Sequence, residues 1–355
     1  MQHHDTTRNV AVAMQKLACL SEVLDTRSDE VSVSASSVPD YAEQIAVIGA
    51  GPAGLSAAVH LVGLGYAVTL IEELPVLGGM MAVGIPDFRL SRIQLKNCLD
   101  ALHHPRLTLQ LNTRFGRDLP FSEIRQQYAA VLLAIGLQQS QLLNVSGERV
   151  LQGILPAMGV LRAYHLQQDT QLKADVTIIG GGMATVDVAR VAIRAGASGV
   201  RVCYPGLLTD VADVSVARQE GVVFLEQVLP IGLLGSEDMA VYGMHCLRVH
   251  SFGRDSFGRH CLSRVPGSDF KIHTDTVVDA FGECADLSGC LLGDDLSGKT
   301  LIAYPDTLST NIPGVFAAGD ITGGYRSILT ALEQGQRAAN SIHHYLHQHA
   351  FSVFL

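Results

Sequence analysis

Gln44–Glu72 reads QIAVIGAGPAGLSAAVHLVGLGYAVTLIE. Ile45–Ile48 is a short apolar run, as expected of a strand buried on both faces. Gly49-Ala50-Gly51-Pro52-Ala53-Gly54 follows as a Gly-x-Gly-x-x-Gly turn. Leu55, Ala58, Val59, Leu61 and Val62 then recur at helical spacing, and Ala67–Ile71 is a second apolar run ending at Glu72. Strand, glycine turn, helix, strand and acid in that order make a dinucleotide-binding unit. Gly49 permits the tight turn. Gly51 lets backbone approach a pyrophosphate at the positive end of the helix, and Gly54 lets helix close on strand. Glu72 stands 18 residues beyond Gly54 (72 − 54), where a carboxylate can hold both hydroxyls of a ribose. A chance glycine-rich turn would not need that acid.

The same unit returns 131 residues later, counting Gly49 to Gly180. Val176–Ile179 is its strand, Gly180-Gly181-Gly182-Met183-Ala184-Thr185 its turn, Val186–Ala195 its helix and Val200–Tyr204 its second strand. Gly180 and Gly182 fill the first two glycine positions, and Thr185 stands at the third as a small residue. Two dinucleotide units in one chain is the arrangement of a flavoenzyme that exchanges hydride with a nicotinamide. The fold class expected is α/β, with two Rossmann-like domains and the nicotinamide domain inserted in the flavin domain.

A third stretch supports a flavin. Val315-Phe316-Ala317-Ala318-Gly319-Asp320 is a strand ending in an acid, followed by Gly323-Gly324 and a long helix from about Tyr325 to Leu346. A carboxylate at that place can accept hydrogen bonds from ribityl hydroxyls. N–H groups of the turn through Ser327 and Ile328 can face the flavin edge where negative charge builds on reduction. Taken alone, Asp320 would read as a helix cap; with the Gly49 unit upstream it reads as an FAD contact.

Composition agrees. The 355 residues suffice for two cores, 48% are hydrophobic and 17% charged, and 35 are glycine, a profile of buried parallel strands. A net charge of −9 argues against nucleic acid or an anionic membrane as partner. The seven cysteines are scattered with no Cys-x-x-Cys, which disfavours a disulfide framework, a zinc or iron–sulfur site, and thiol–disulfide redox chemistry. No apolar run reaches the roughly 18 residues of a membrane span. The first residues show no secretion signal, so a cytoplasmic location is the expectation. There is no Gly-x-Ser-x-Gly hydrolase elbow. The spacing of Cys284 and Cys290 favours unreacted thiols, and the histidines at 343, 344, 347 and 349 read as a solvated helix rather than a metal site.

Along the chain, residues 1–40 read as a helix over Thr6–Leu24 and a Ser/Asp-rich linker, the helix packing on the body or docking a partner. The flavin domain is expected at 41–150 and 290–348, and the nicotinamide domain at 151–289.

These motifs resemble those of the two-dinucleotide-domain flavoproteins, within them the glutamate synthase small subunit and its relatives. The residues that carry the resemblance are Val47–Gly54, Gly78-Gly79-Met80, Gly84-Ile85-Pro86-Asp87-Phe88-Arg89-Leu90, Ala134-Ile135-Gly136, Ile179–Gly182 with Asp187 and Arg190, Pro266–Phe270 and Pro313–Asp320. They span about residues 41–348, and the Gly-Ile-Pro-x-Phe-Arg-Leu run is the most discriminating. The resemblance implies FAD in the first domain, touching Gly79, Met80, Arg89 and Gly136 as well as Glu72 and Asp320. It implies NAD(P)H in the second, at Gly180, Gly182, Met183 and Ala184, and electrons passed to iron–sulfur clusters. Family members carry those clusters on a cysteine-rich N-terminal domain. Here only Cys19 precedes the first glycine turn, so a separate iron–sulfur or other redox protein is the expected partner.

Two features depart from the family. The strand after the second turn usually ends Tyr-Arg-Arg; here it ends Tyr204-Pro205-Gly206, with no Lys or Arg between Arg201 and Arg218 and Asp210 as the nearest acid. Met183 stands where Asn is common. NADH is therefore as well supported as NADPH. An alternative stays open: a flavin-holding assembly or conduit subunit whose nicotinamide site is degenerate.

Overall fold

The computed structural model describes residues 12, 14–19, 40–208, 211, 213–254, 260–286, 296–297, 300–324 and 326–352. Most of the Thr6–Leu24 segment, the linker that follows it, Asp210, Cys290 and Tyr325 lie outside the described residues.

In chain order the principal elements begin with β1 (Gln44–Ile48), α1 (Pro52–Leu64), β2 (Ala67–Ile71), α2 (Arg92–Asp100), β3 (Leu107–Gln110), α3 (Phe121–Gln127) and β4 (Ala130–Leu133). Then come β5 (Ile154–Pro156), α4 (Ala157–His165), β6 (Asp175–Ile179), α5 (Met183–Arg194), β7 (Gly199–Tyr204), α6 (Val214–Gln219) and β8 (Val223–Glu226). The chain continues through β9 (Val228–Gly235), β10 (Val241–Arg254), β11 (His260–Arg264), β12 (Phe270–His273) and β13 (Thr276–Asp279), and closes with β14 (Val315–Ala317) and α7 (Ile328–Ser352).

The chain divides into two compact units. One holds residues 14–19, 40–82, 87–138 and the described residues from 284 onward; the other holds 83–86 and 139–283. The second is thus inserted in the first along the chain.

The outer unit is built on a five-stranded parallel sheet in the order β14-β4-β1-β2-β3. Its central strands are apolar runs covered on both faces, β4 being buried at every residue, whereas the edge strand β3, LTLQ, is mostly exposed. Helix α1 is apolar nearly all round because it too is buried on more than one side. It ends at Gly65, whose φ of 108° is left-handed and whose N–H bonds back to Leu61 O and Val62 O. Against α1 lies α7. Gly335 makes the approach possible: a Cβ there would sit 2.1 Å from Ala53 O. The Ser56 hydroxyl donates to Leu332 O at 2.7 Å and ties the same two helices. The described part of the N-terminal helix, residues 14–19, packs on this body: Leu17 is fully buried and Lys16 pairs with Glu333 of α7 at 2.9 Å.

The inserted unit repeats the plan, with a parallel sheet in the order β5-β13-β6-β7-β8. It adds an antiparallel sheet in which β10 pairs with β9, β11 and β12. β10 and β11 pair antiparallel, and residues 255–259 between them lie outside the described residues. Strand β9 was not expected. Its sequence VLPIGLLG carries Pro230 and two glycines, and the ladder indeed shifts register between Pro230 and Gly232.

The C-terminal histidines differ from expectation. His343 and His347 are packed rather than solvated: the Tyr66 hydroxyl lies 2.9 Å from His343 Nδ1 and the Tyr41 hydroxyl 3.2 Å from His347 Nε2. The Tyr41 and Tyr66 rings stack at 4.5 Å. Helix periodicity put the histidines on one face, but only the tertiary fold brings two tyrosines to cover it.

Two outcomes follow. Gly335→Ala forces α7 away from α1 and costs about 1–3 kcal/mol, read as a lowered urea midpoint. Burial, with His347, His344 and His60 adding, holds the His343 imidazole below its ordinary 6.5. The folded state then binds fewer protons than the unfolded state below that pH, so stability falls as pH drops through 6.5. Melting temperature against pH should show that slope in the wild type and a shallower one in His343→Gln.

Candidate functional site

The first site is made where β1 ends and α1 begins. Gly49 has a φ of 101°, open to glycine without strain, and a Cβ there would lie 2.4 Å from Ala134 O. A Cβ on Gly54 would lie 1.8 Å from Gly49 O, so α1 sits directly on the turn. Gly51 caps the helix without a side chain and faces open space, with nothing within 4 Å of where its Cβ would be. Pro52 is the first helical residue, and the N–H groups of Ala53 and Gly54 belong to the helical turn that has no intrahelical acceptors. A strip of backbone donors beside open space, at the positive end of a thirteen-residue helix, suits a pyrophosphate.

Glu72 is 5% exposed. Its Oε2 accepts the Ala50 N–H at 2.7 Å and its Oε1 accepts the Leu74 N–H at 2.9 Å. The acid at the end of β2 therefore fixes the turn opposite it. Burial raises its carboxyl above the ordinary range, and backbone N–H bonds from Ala50, Leu74 and Glu73 work against that shift. With three of about four lone-pair sites taken, the carboxylate retains acceptor capacity for a ribose hydroxyl.

Gly79 joins this cluster, with a Cβ there falling 2.9 Å from Gly51 Cα; Gly78 N–H donates to Ala50 O at 2.9 Å. Met80 opens the short helix that follows. From the far end of the chain comes Gly319, whose Cβ would lie 3.2 Å from that of Ala53. Gln334, which the sequence reading did not single out, accepts the Gly319 N–H at 2.6 Å. No local pattern marks that glutamine; it is found only once α7 folds back over the turn.

Asp320 follows β14 and opens the 3-10 turn Asp320–Thr322, and α7 starts at Ile328. Burial raises the Asp320 carboxyl, opposed by Arg326. Ser327 caps α7, its hydroxyl accepting the Thr330 N–H at 3.0 Å, and Ile328 is the first helical residue. Gly136 has a φ of 65° and open space where a side chain would be. Arg89 is half-buried in the loop before α2.

The second turn is tighter in one respect. A Cβ on Gly180 would meet Ala280 O and Thr185 Oγ1, both at 2.5 Å. Gly182 caps α5, its N–H donating to Thr185 Oγ1 at 3.3 Å, so Thr185 has a capping role beyond its small size. Gly182 faces open space, and Met183 is exposed. Ala184 follows in the first turn of α5. Over Gly181 lies the Tyr204 ring, 2.0 Å from where a Cβ would stand. Asp279, at the end of β13 and also unforeseen, is buried; burial lifts its carboxyl to about 6 despite a bond from the Phe281 N–H.

Residues 43–218 match the pyridine nucleotide-disulphide oxidoreductase family. The chain belongs to that family. The NADP(+)-dependent formate dehydrogenase subunit beta of Moorella thermoacetica is 42% identical over 317 residues, covering 86% of this chain and 44% of the relative. The NADPH-Fe(3+) oxidoreductase subunit beta of Geobacter sulfurreducens is 34% identical over 341 residues, covering 87% and 51%. The glutamate synthase (NADPH) small chain of Halomonas elongata is 31% identical, covering 86% and 68%. The chain thus spans about half the length of the first two relatives. The fold matches Mycobacterium tuberculosis FprA in complex with NADPH, with a TM-score of 0.69 at 20% identity over 88% of this chain and 86% of that one. Thioredoxin reductase of T. acidophilum matches with a TM-score of 0.62 at 20% identity, covering 86% and 99%. Among the described residues no helix is long and apolar enough to cross a membrane, and no three metal-ligating side chains cluster.

Removing the Glu72 carboxylate strands two buried N–H groups. Glu72→Ala should lower stability by about 2–4 kcal/mol, read by chemical denaturation.

Proposed function

We propose that the chain is an FAD-dependent oxidoreductase that passes electrons between a nicotinamide dinucleotide and a separate redox partner. The observation that carries this reading is that one parallel sheet bears Glu72 at the end of β2 and Asp320 beyond β14, with Gly319 set against the helix of the glycine turn. That juxtaposition supplies holds for both ends of a long dinucleotide, one for a ribose and one for a polyhydroxyl tether. The donor set fits FAD: an open backbone cradle at Gly51, a buried carboxylate that retains acceptor capacity, and a second carboxylate at a strand end.

In this reading Gly49, Gly51, Pro52, Ala53 and Gly54 hold the pyrophosphate and Glu72 the adenosine ribose. Gly79 and Met80 close over the turn. Asp320 accepts from the ribityl hydroxyls. The backbone of Ser327 and Ile328 turns the positive end of α7 toward the ring, and Arg89, Gly136 and Gly319 complete the surroundings. Gly180, Gly182, Met183 and Ala184 hold the nicotinamide dinucleotide in the inserted unit. FAD, when bound, supplies the chemistry that links a hydride donor to an electron acceptor. The chain contributes no nucleophile or general base; it orients the two dinucleotides and keeps water away.

Support for a separate partner comes from the relatives, which are named as subunits or small chains of larger enzymes. An iron–sulfur protein is the partner class we favour, since none of the cysteines here falls into cluster spacing. A second reading, a flavin-holding conduit with a decayed nicotinamide site, is favoured by Tyr204-Pro205-Gly206 and the ring over Gly181.

Anaerobic titration decides between them. The purified protein should be yellow, and NADH or NADPH should bleach its band near about 450 nm within seconds. A yellow protein that neither nucleotide bleaches supports the conduit. A protein that stays colourless when offered FAD removes both.

A further inference from the structure

The charges around the second glycine turn bear on which nucleotide it accepts. A 2′-phosphate on the adenosine ribose needs an uncommitted cation near the end of β7, held best by a bidentate guanidinium. The segment from Tyr204 to Asp213 contains no Lys or Arg. The arginines nearby are committed. Arg190 and Arg194 both hold Glu220, Arg190 with two bonds at 2.8 and 2.9 Å. Arg201 pairs with Asp175 at 3.1 Å, pointing back along β7. Arg218 lies over the Phe224 ring and reaches Glu226 at 3.4 Å.

Among the described residues a carboxylate, the partner of Arg218, stands at the same end of the sheet. Glu226 ends β8 and is paired in register with Tyr204, the last residue of β7, so it lies at the same carboxyl edge of the sheet. Its Oε1 accepts the Leu208 N–H at 2.6 Å, and the next residue, Gln227, donates its N–H to Gly206 O at 3.2 Å. These two bonds draw the loop after β7 onto the end of β8 and set the Glu226 carboxylate beside it. The usual acid at the end of the second strand is absent from this unit. A neighbouring strand supplies one instead.

We propose that Glu226 is the specificity-determining group of the second nucleotide site. It selects the dinucleotide whose adenosine ribose carries no 2′-phosphate, NAD(H) over NADP(H). A carboxylate accepts from a ribose hydroxyl and repels a phosphate dianion. This rests on the nicotinamide reading above and runs opposite to the NADP-named relatives.

The test is calorimetric binding of NAD+ and of NADP+ to the FAD-loaded protein, which needs no hydride transfer. NAD+ should bind tighter on the order of tenfold or more. Glu226→Gln keeps an oxygen for the Leu208 N–H and removes the charge; it should narrow that ratio by weakening NAD+ and strengthening NADP+, with an unchanged unfolding midpoint. Tighter binding of NADP+, above all if Arg218→Ala abolishes it, overturns the proposal. So does a ratio that Glu226→Gln leaves unchanged, or binding of neither nucleotide. Binding of NAD+ without bleaching by NADH would sink the oxidoreductase reading and leave this one standing.

Discussion

The outer unit depends on a contact that tolerates no side chain. With a Cβ on Gly54 falling 1.8 Å from Gly49 O, α1 can rest on the turn only if Gly54 stays bare, and a Cβ on Gly49 would strike Ala134 O at 2.4 Å. That approach points the first turn of α1 into open space at Gly51. It also brings Ala50 within reach of the acid on the next strand. The Glu72 carboxylate then closes the arrangement by bonding Ala50 and Leu74 N–H groups at once. The sheet, the helix start and the acid are therefore one mechanical object.

The last helix completes this object from the other end of the chain. Gly335 lets α7 lie against Ala53, Gln334 holds the Gly319 N–H, and Ser56 bonds to Leu332 O. Small residues at a helix crossing bring backbones close. The pairing of β14 on β4 carries Asp320 to the same sheet as Glu72, 248 positions away (320 − 72).

The inserted unit uses the same plan with different chemistry. Its turn has Thr185 as a cap, a tyrosine ring over the middle glycine and arginines bound to Glu220, Asp175 and Glu226. Duplicated backbone geometry thus coexists with a distinct charge pattern. Fold and charge are separable because the first is set by glycine spacing and apolar runs, and the second by side chains at strand ends.

Much of this was legible from the residues alone. Buried parallel strands are continuous apolar runs and glycine turns have fixed spacing, so β1, β2, β6 and β7 could be located within a residue, though α1 and α5 each begin three residues before the expected Leu55 and Val186. Short-range patterns of that kind determine the fold class and the place of Gly49, Gly54 and Glu72. The rest is long-range. Strand β9 is broken by Pro230, Gln334 bears no motif, and the tyrosines over His343 and His347 come from residues 277 and 306 positions away. The acid of Glu226 lies on a neighbouring strand, where only sheet order and register can put it beside Tyr204. Local spacing decides what each segment becomes; the pairing of distant backbones decides which side chains meet.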